Sequence, residues 1–60
     1  MDRVFLTAEE VAEALSIGRA KVYDLIRNGD LVSVKIGRLR RVHAEAVHAY
    51  ARRLIEEQAA

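Results

Sequence analysis

Seven cations fall between residues 19 and 41: Arg19, Lys21 and Arg27, then Lys35, Arg38, Arg40 and Arg41. The chemistry open to such a set is electrostatic. Guanidinium and ammonium groups neutralise phosphates, and an arginine fork can bind guanine O6 and N7 together. Covalent chemistry has little to work with. The chain has no cysteine, so neither a disulfide nor a thiolate site is available. The hydroxyls of Thr7, Ser16 and Ser33 have no paired base to activate them. His43 and His48 are five positions apart, about 140° around a helix, and no Cys or carboxylate set joins them, so a metal site is not expected. There is no glycine-rich phosphate loop. The residues describe a binder, with no catalytic group, cofactor or metal.

Length and composition set the frame. Sixty residues make one domain at most, residues 1–60 with an ordered part expected over about 4–56. A core of this size supplies only about 3–5 kcal/mol net. With 52% hydrophobic and 32% charged residues, the composition is that of a globular protein. The start, Met-Asp-Arg-Val-Phe-Leu-Thr, has an apolar run of only three residues, which argues against a secretory signal or membrane span and favours the cytoplasm. The net charge of +1 conceals an asymmetry. Residues 1–18 hold Arg3 against Asp2, Glu9, Glu10 and Glu13, a net −3. Residues 19–41 hold the seven cations against Asp24 and Asp30, a net +5. Residues 42–60 hold Arg52 and Arg53 against Glu45, Glu56 and Glu57, a net −1. A basic block between acidic flanks is a nucleic-acid footprint.

The elements that must position these cations are short. Thr7-Ala-Glu-Glu10 reads as a capping box, with Phe5 or Leu6 free to staple onto Val11. Val11, Ala12 and Leu15 form the inner face of a helix ending near Leu15. Ser16 lies in the turn and Ile17 tucks beneath it. Gly18 is the expected N-cap of a second helix whose apolar face is Val22, Leu25 and Ile26. At 100° per residue the opposite face carries Ala20, Asp24 and Arg27, flanked by Lys21, Tyr23 and Asn28. Gly29 suits the left-handed position that ends this helix. Two helices joined by a three-residue turn form a helix-turn-helix.

Leu31 to Ile36 reads as a strand and Leu39 to Val42 as its return. Two hairpin registers are open. A two-residue loop at Gly37-Arg38 pairs Ile36 with Leu39 and puts Val42 on the face opposite Val34 and Ile36. A three-residue loop through Leu39 pairs Val34 with Val42, keeps Val34, Ile36 and Val42 on one inner face, and sets Lys35 beside Arg41 outside. The second register is preferred because it gathers the apolar residues. From His43 onward Ala44, Val47, Tyr50, Ala51 and Leu54 form the inner stripe of a last helix. No Ser, Thr, Asp or Asn is placed to cap its start, and residues 56–60 are expected to fray. The fold class is mainly α with a small β-hairpin: a winged helix-turn-helix of order α-α-β-β-α.

Four stretches in this order, Leu6-Thr-Ala-Glu-Glu-Val-Ala12, Val22-Tyr-Asp-Leu-Ile-Arg-Asn-Gly-Asp-Leu31, Val34-Lys-Ile-Gly-Arg38 and Ala44-Glu-Ala-Val47, resemble the excisionase family, a small MerR-like group of winged helix-turn-helix proteins found in phages and integrative elements. The resemblance covers roughly residues 5–54. It implies a second helix entering the major groove and a wing touching the minor groove or backbone. Four positions depart from the family pattern: Ser16 replaces a turn glycine, Gly18 a hydroxyl N-cap, His43 a proline and Arg40 an aromatic.

On the second helix, Arg19 and Lys21 lie beside free backbone N–H groups and are expected at phosphates. Arg27 can meet a phosphate or read guanine, and Ala20 can pack on a thymine methyl. Asp24 either accepts from a cytosine N4 or holds Arg27 or Lys21 in a local pair. Pairing is preferred, because a carboxylate facing DNA is repelled by phosphate. Tyr23 is expected half in the core and half at a phosphate. On the wing, Lys35, Arg38, Arg40 and Arg41 exceed what a solvated hairpin needs, and arginine suits a narrow minor groove. Leu39 at the tip is expected to be exposed; it is incidental, a wedge in the groove, or a contact with a neighbouring protomer.

The function implied by the resemblance is a recombination directionality factor, a non-catalytic protein that binds and bends attachment-site DNA and helps an integrase carry out excision. An acidic first helix and a basic wing suit head-to-tail association along DNA, with Glu9, Glu10 and Glu13 as the acidic side. The alternatives are a small transcriptional regulator on the same fold and a protein-interaction module that does not touch DNA. Salt dependence separates the last: about 4–6 phosphate contacts give a slope of log K against log salt of roughly −4 to −5.

Overall fold

In a computed structural model, which describes residues 3–59, Thr7 starts the first helix as its sequence predicts. The Glu10 N–H donates to the Thr7 hydroxyl at 3.1 Å, and the Thr7 N–H donates to the Glu10 carboxylate at 2.8 Å. Two donors at the helix start, which would otherwise be orphaned, are thereby satisfied. Helix α1 (Ala8–Leu15) and helix α2 (Arg19–Arg27) are separated by three residues. Both close by the same pair of bonds. After α1 the Ile17 N–H donates to the Ala12 carbonyl and the Ser16 N–H to Glu13; after α2 the Asp30 N–H donates to Leu25 and the Gly29 N–H to Ile26. Each closure places one residue in the left-handed region: Gly29 at φ 84° and Ser16 at φ 58°. Gly18 precedes α2 with no side-chain cap.

The wing departs from the preferred register. Strand β1 (Phe5–Leu6), strand β2 (Ser33–Ile36) and strand β3 (Leu39–His43) form an antiparallel sheet in the order β1-β3-β2. Ile36 pairs with Leu39, Lys35 with Arg40, Val34 with Arg41 and Ser33 with Val42. The loop is therefore the two residues Gly37 and Arg38, with Gly37 at φ 64° and Arg38 outside the left-handed region. That is the sign pattern of a II′ turn, which matches the twist of the flanking strands. Val34 and Ile36 are consequently not inner residues: they are 38% and 49% exposed, while Val42 is buried. The physical reason is reach. Only the base of the hairpin meets the core, where Val42 joins the buried cluster and pairs with Leu6 of β1.

Helix α3 (Ala44–Ala59) runs without a break to Ala59, past the point where fraying was expected. Its start is capped after all, by an unexpected residue: the Glu45 N–H donates to His43 Nδ1 at 3.0 Å. The Ala44 N–H donates to the Val4 carbonyl, joining this start to the N-terminal segment. The core is Val11, Ala12, Val22, Leu25, Leu31, Val42 and Val47, with Leu6, Leu15, Ile17, Ile26 and Tyr50 packed around it. Each helix and the wing base contribute, so no element buries its apolar face alone. Among the described residues no helix is long and apolar enough to cross a membrane.

Candidate nucleic-acid interface

Burying Val22 and Leu25 turns the other side of α2 to solvent. Arg19, Ala20, Lys21, Tyr23 and Arg27 are exposed there, and Asp24 is half-buried. Arg27 donates to Asp24 at 2.7 Å, the local pair preferred from sequence. The pair is largely exposed, so it adds little stability; in it the Arg27 guanidinium turns toward Asp24. Arg19 is tied to Glu9 of α1 at 3.0 Å, a contact that sequence spacing does not reveal. Tyr23, expected half in the core, is 50% exposed and is not among the residues packed on the core.

The wing stands beside this helix. A cleft of about 350 Å³ lies between them, lined by Thr7, Ala8, Glu9, Tyr23 and Ile26 on the helical side and by Arg40, Arg41 and Val42 of β3. Tyr23 and two of the four wing cations are thus brought to one opening. Lys35 and Arg40 sit directly opposite each other on one sheet face. Like charges in that arrangement destabilise a sheet, and the Arg40 side chain donates to the Ser33 hydroxyl at 2.8 Å. Among the described residues, neither Lys21 nor any of Lys35, Arg38, Arg40 and Arg41 forms an ion pair. The acidic side is more occupied. Glu10 pairs with Arg3 at 3.0 Å, and its carboxyl is held below its ordinary value chiefly by the Thr7 N–H, with burial opposing and Arg3 and Arg41 assisting.

Two positions escaped sequence reading. Arg53 of α3 reaches Asp30 at 3.1 Å and Glu57 at 3.8 Å and lies over the Tyr50 ring, clamping α3 to the end of α2. His43 caps α3 and meets the Phe5 ring edge-on at 5.2 Å between centroids. A histidine immediately before a helix, with its Nδ1 two residues from a free N–H, is the signal that could have found it. No group of three or more metal-ligating side chains occurs among the described residues.

Two helices, a tight turn and a basic hairpin beside the second helix define a winged helix-turn-helix domain. Residues 5–54 match a family described as a helix-turn-helix domain. The chain is 51% identical over 98% of its length to a protein of Saccharopolyspora erythraea named as a probable excisionase, of which it covers 60%. It is 51% identical over 75% of its length to an excisionase of Streptomyces ambofaciens, covering 73% of that protein. A relative in Mycobacterium tuberculosis, named as a DNA-binding protein, is 49% identical over 72% of this chain, which covers 55% of it. This chain therefore belongs to the excisionase family of helix-turn-helix proteins. It spans somewhat more than half the length of two of these relatives. No solved structure matches it significantly.

Proposed function

We propose that this protein is a sequence-specific DNA-binding excisionase, a recombination directionality factor that binds and bends attachment-site DNA and directs an integrase toward excision. The observation that carries this reading is the 51% identity, over nearly the whole chain, with a relative named as a probable excisionase. The surface chemistry supports it. Arg19, Ala20, Lys21, Tyr23, Asp24 and Arg27 on α2 face the major groove, with Arg27 held by Asp24 for base contact. Lys35, Arg38, Arg40 and Arg41 on the wing meet the adjacent minor groove or backbone, where an anion relieves the Lys35–Arg40 repulsion. The role is non-catalytic and is carried out in the bacterial cytoplasm on chromosomal or phage DNA.

Protomers associate head to tail, the acidic side of one α1 against the basic wing of the next. Glu9 and Glu10 already serve Arg19, Arg3 and the Thr7 cap, which leaves Glu13 as the informative position. Glu13→Lys is expected to lower cooperativity on multi-site DNA with single-site affinity nearly unchanged. Equal cooperativity removes the head-to-tail arrangement.

The test of the whole reading is integrase-mediated recombination between attachment sites of the native element, with and without the protein. Excision that needs the protein, with integration suppressed, supports it. Specific duplex binding with neither direction altered assigns the protein to promoter control instead.

A further inference from the structure

The outer face of the wing sheet has three rows. Phe5 lies with His43, Val34 with Arg41, and Ile36 with Leu39. Only the last row is apolar on both strands, and it is the row beside the turn. Ile36 and Leu39 are 49% and 54% exposed. Neither of these two branched aliphatic side chains reaches the core, so what the fold gains from them is limited to their contact with each other across the strands. Lys35 and Arg40 form the adjacent rung, on the other face, and Arg38 sits in the turn itself. A strongly cationic tip with a paired apolar edge fits the groove of a polyanion, not a free surface or an acidic partner with no apolar slot.

We infer that Ile36 and Leu39 form a two-residue wedge that enters the minor groove and partly unstacks one base step, while Lys35, Arg38 and Arg40 hold the flanking phosphates. The inference rests on the DNA-binding reading above and gives it a physical means of bending. Branched apolar side chains driven into a minor-groove step kink the duplex by about 20–90° toward the major groove. Pyrimidine–purine steps yield most easily and are the expected targets. The register makes the wedge: in the alternative hairpin Ile36 would turn inward and Leu39 would stand alone at the tip.

The experiment uses duplex DNA from the attachment region of the native element, with two readouts. Permanganate oxidation maps unstacked thymines, and circular-permutation mobility measures the bend. The wild-type protein is expected to produce a hyperreactive thymine and a bend of at least about 20°. Leu39→Ala and the double variant Ile36→Ala/Leu39→Ala are expected to lose the hyperreactive thymine and most of the bend, with unchanged melting temperature. Leu39→Met, which keeps a wedge-shaped apolar side chain, restores both. A bend equal in wild type and double variant overturns the wedge and leaves the DNA-binding reading standing. An equal bend with reduced cooperativity assigns the pair to a neighbouring protomer instead. Failure of the wild type to bind the duplex at all removes both readings.

Discussion

Glu10 shows how much one side chain can hold at this size. It accepts the Thr7 N–H, pairs with Arg3 and stands within the field of Arg41. All of these favour the charged carboxylate, and its pKa lies below the ordinary 4.5. A carboxyl with a depressed folded pKa contributes stability that is present above the unfolded value and is lost as the pH falls through the folded one. Urea unfolding from pH 7 to pH 2.5 is therefore expected to show a loss of stability below about pH 4.5 that is shallower in Glu10→Gln. An identical acid limb in the variant would place the loss on other carboxyls. The capping box is legible in sequence because its partners are three residues apart. The His43 cap is equally local, yet invisible to a search for Ser, Thr, Asp or Asn, because an imidazole nitrogen accepts only where the ring can turn onto the backbone.

At the scale of elements, the two helix ends differ by a single atom set. Gly29 takes φ 84° with no Cβ penalty, whereas Ser16 takes φ 58° with one. A side chain in the left-handed region costs about 1–2 kcal/mol, partly offset because glycine loses more freedom on folding. Ser16→Gly is expected to stabilise the protein by about 0.5–1 kcal/mol and to raise the melting temperature by roughly 2–8 °C. Calorimetry decides it, and an unchanged or lower melting temperature would mean that the serine hydroxyl offsets the strain. The helices themselves were readable from the spacing of Val22, Leu25 and Ile26 and from the caps. The wing was not, because gathering Val34, Ile36 and Val42 on one face assumes a core beneath the whole hairpin, and the core ends at Val42.

Across the whole molecule, stability depends on a cluster of buried apolar residues that runs from Val11 to Val47 and draws on all three helices, the segment after α2 and β3. Leu31, in the segment between α2 and the wing, is 1% exposed and belongs to that cluster. Truncating a buried leucine costs about 2–5 kcal/mol, comparable with the about 3–5 kcal/mol that a core of this length supplies. Leu31→Ala is expected to be largely unfolded at 25 °C, visible as lost helical circular dichroism. A cooperative melt near the wild-type temperature would show that the site collapses around the smaller side chain.

Much of what has its cause within about four residues stands in the sequence: the Thr7–Glu10 box, the three-residue turn, the left-handed Gly29, the Asp24–Arg27 pair and the order of the helices and wing strands, with the His43 cap the exception. The cationic character of the second helix and wing stands there too, since charge needs no partner to exist. Tertiary structure alone decided the short strand Phe5–Leu6, the Arg19–Glu9 and Arg53–Asp30 ties, the meeting of Tyr23 with Arg40 and Arg41 across one cleft, and the register that puts Ile36 beside Leu39. Each of these depends on a partner from another element, and the cost of a one-residue slip in a strand is set by which face finds a core. Here that was settled where β3 meets β1 and the helices.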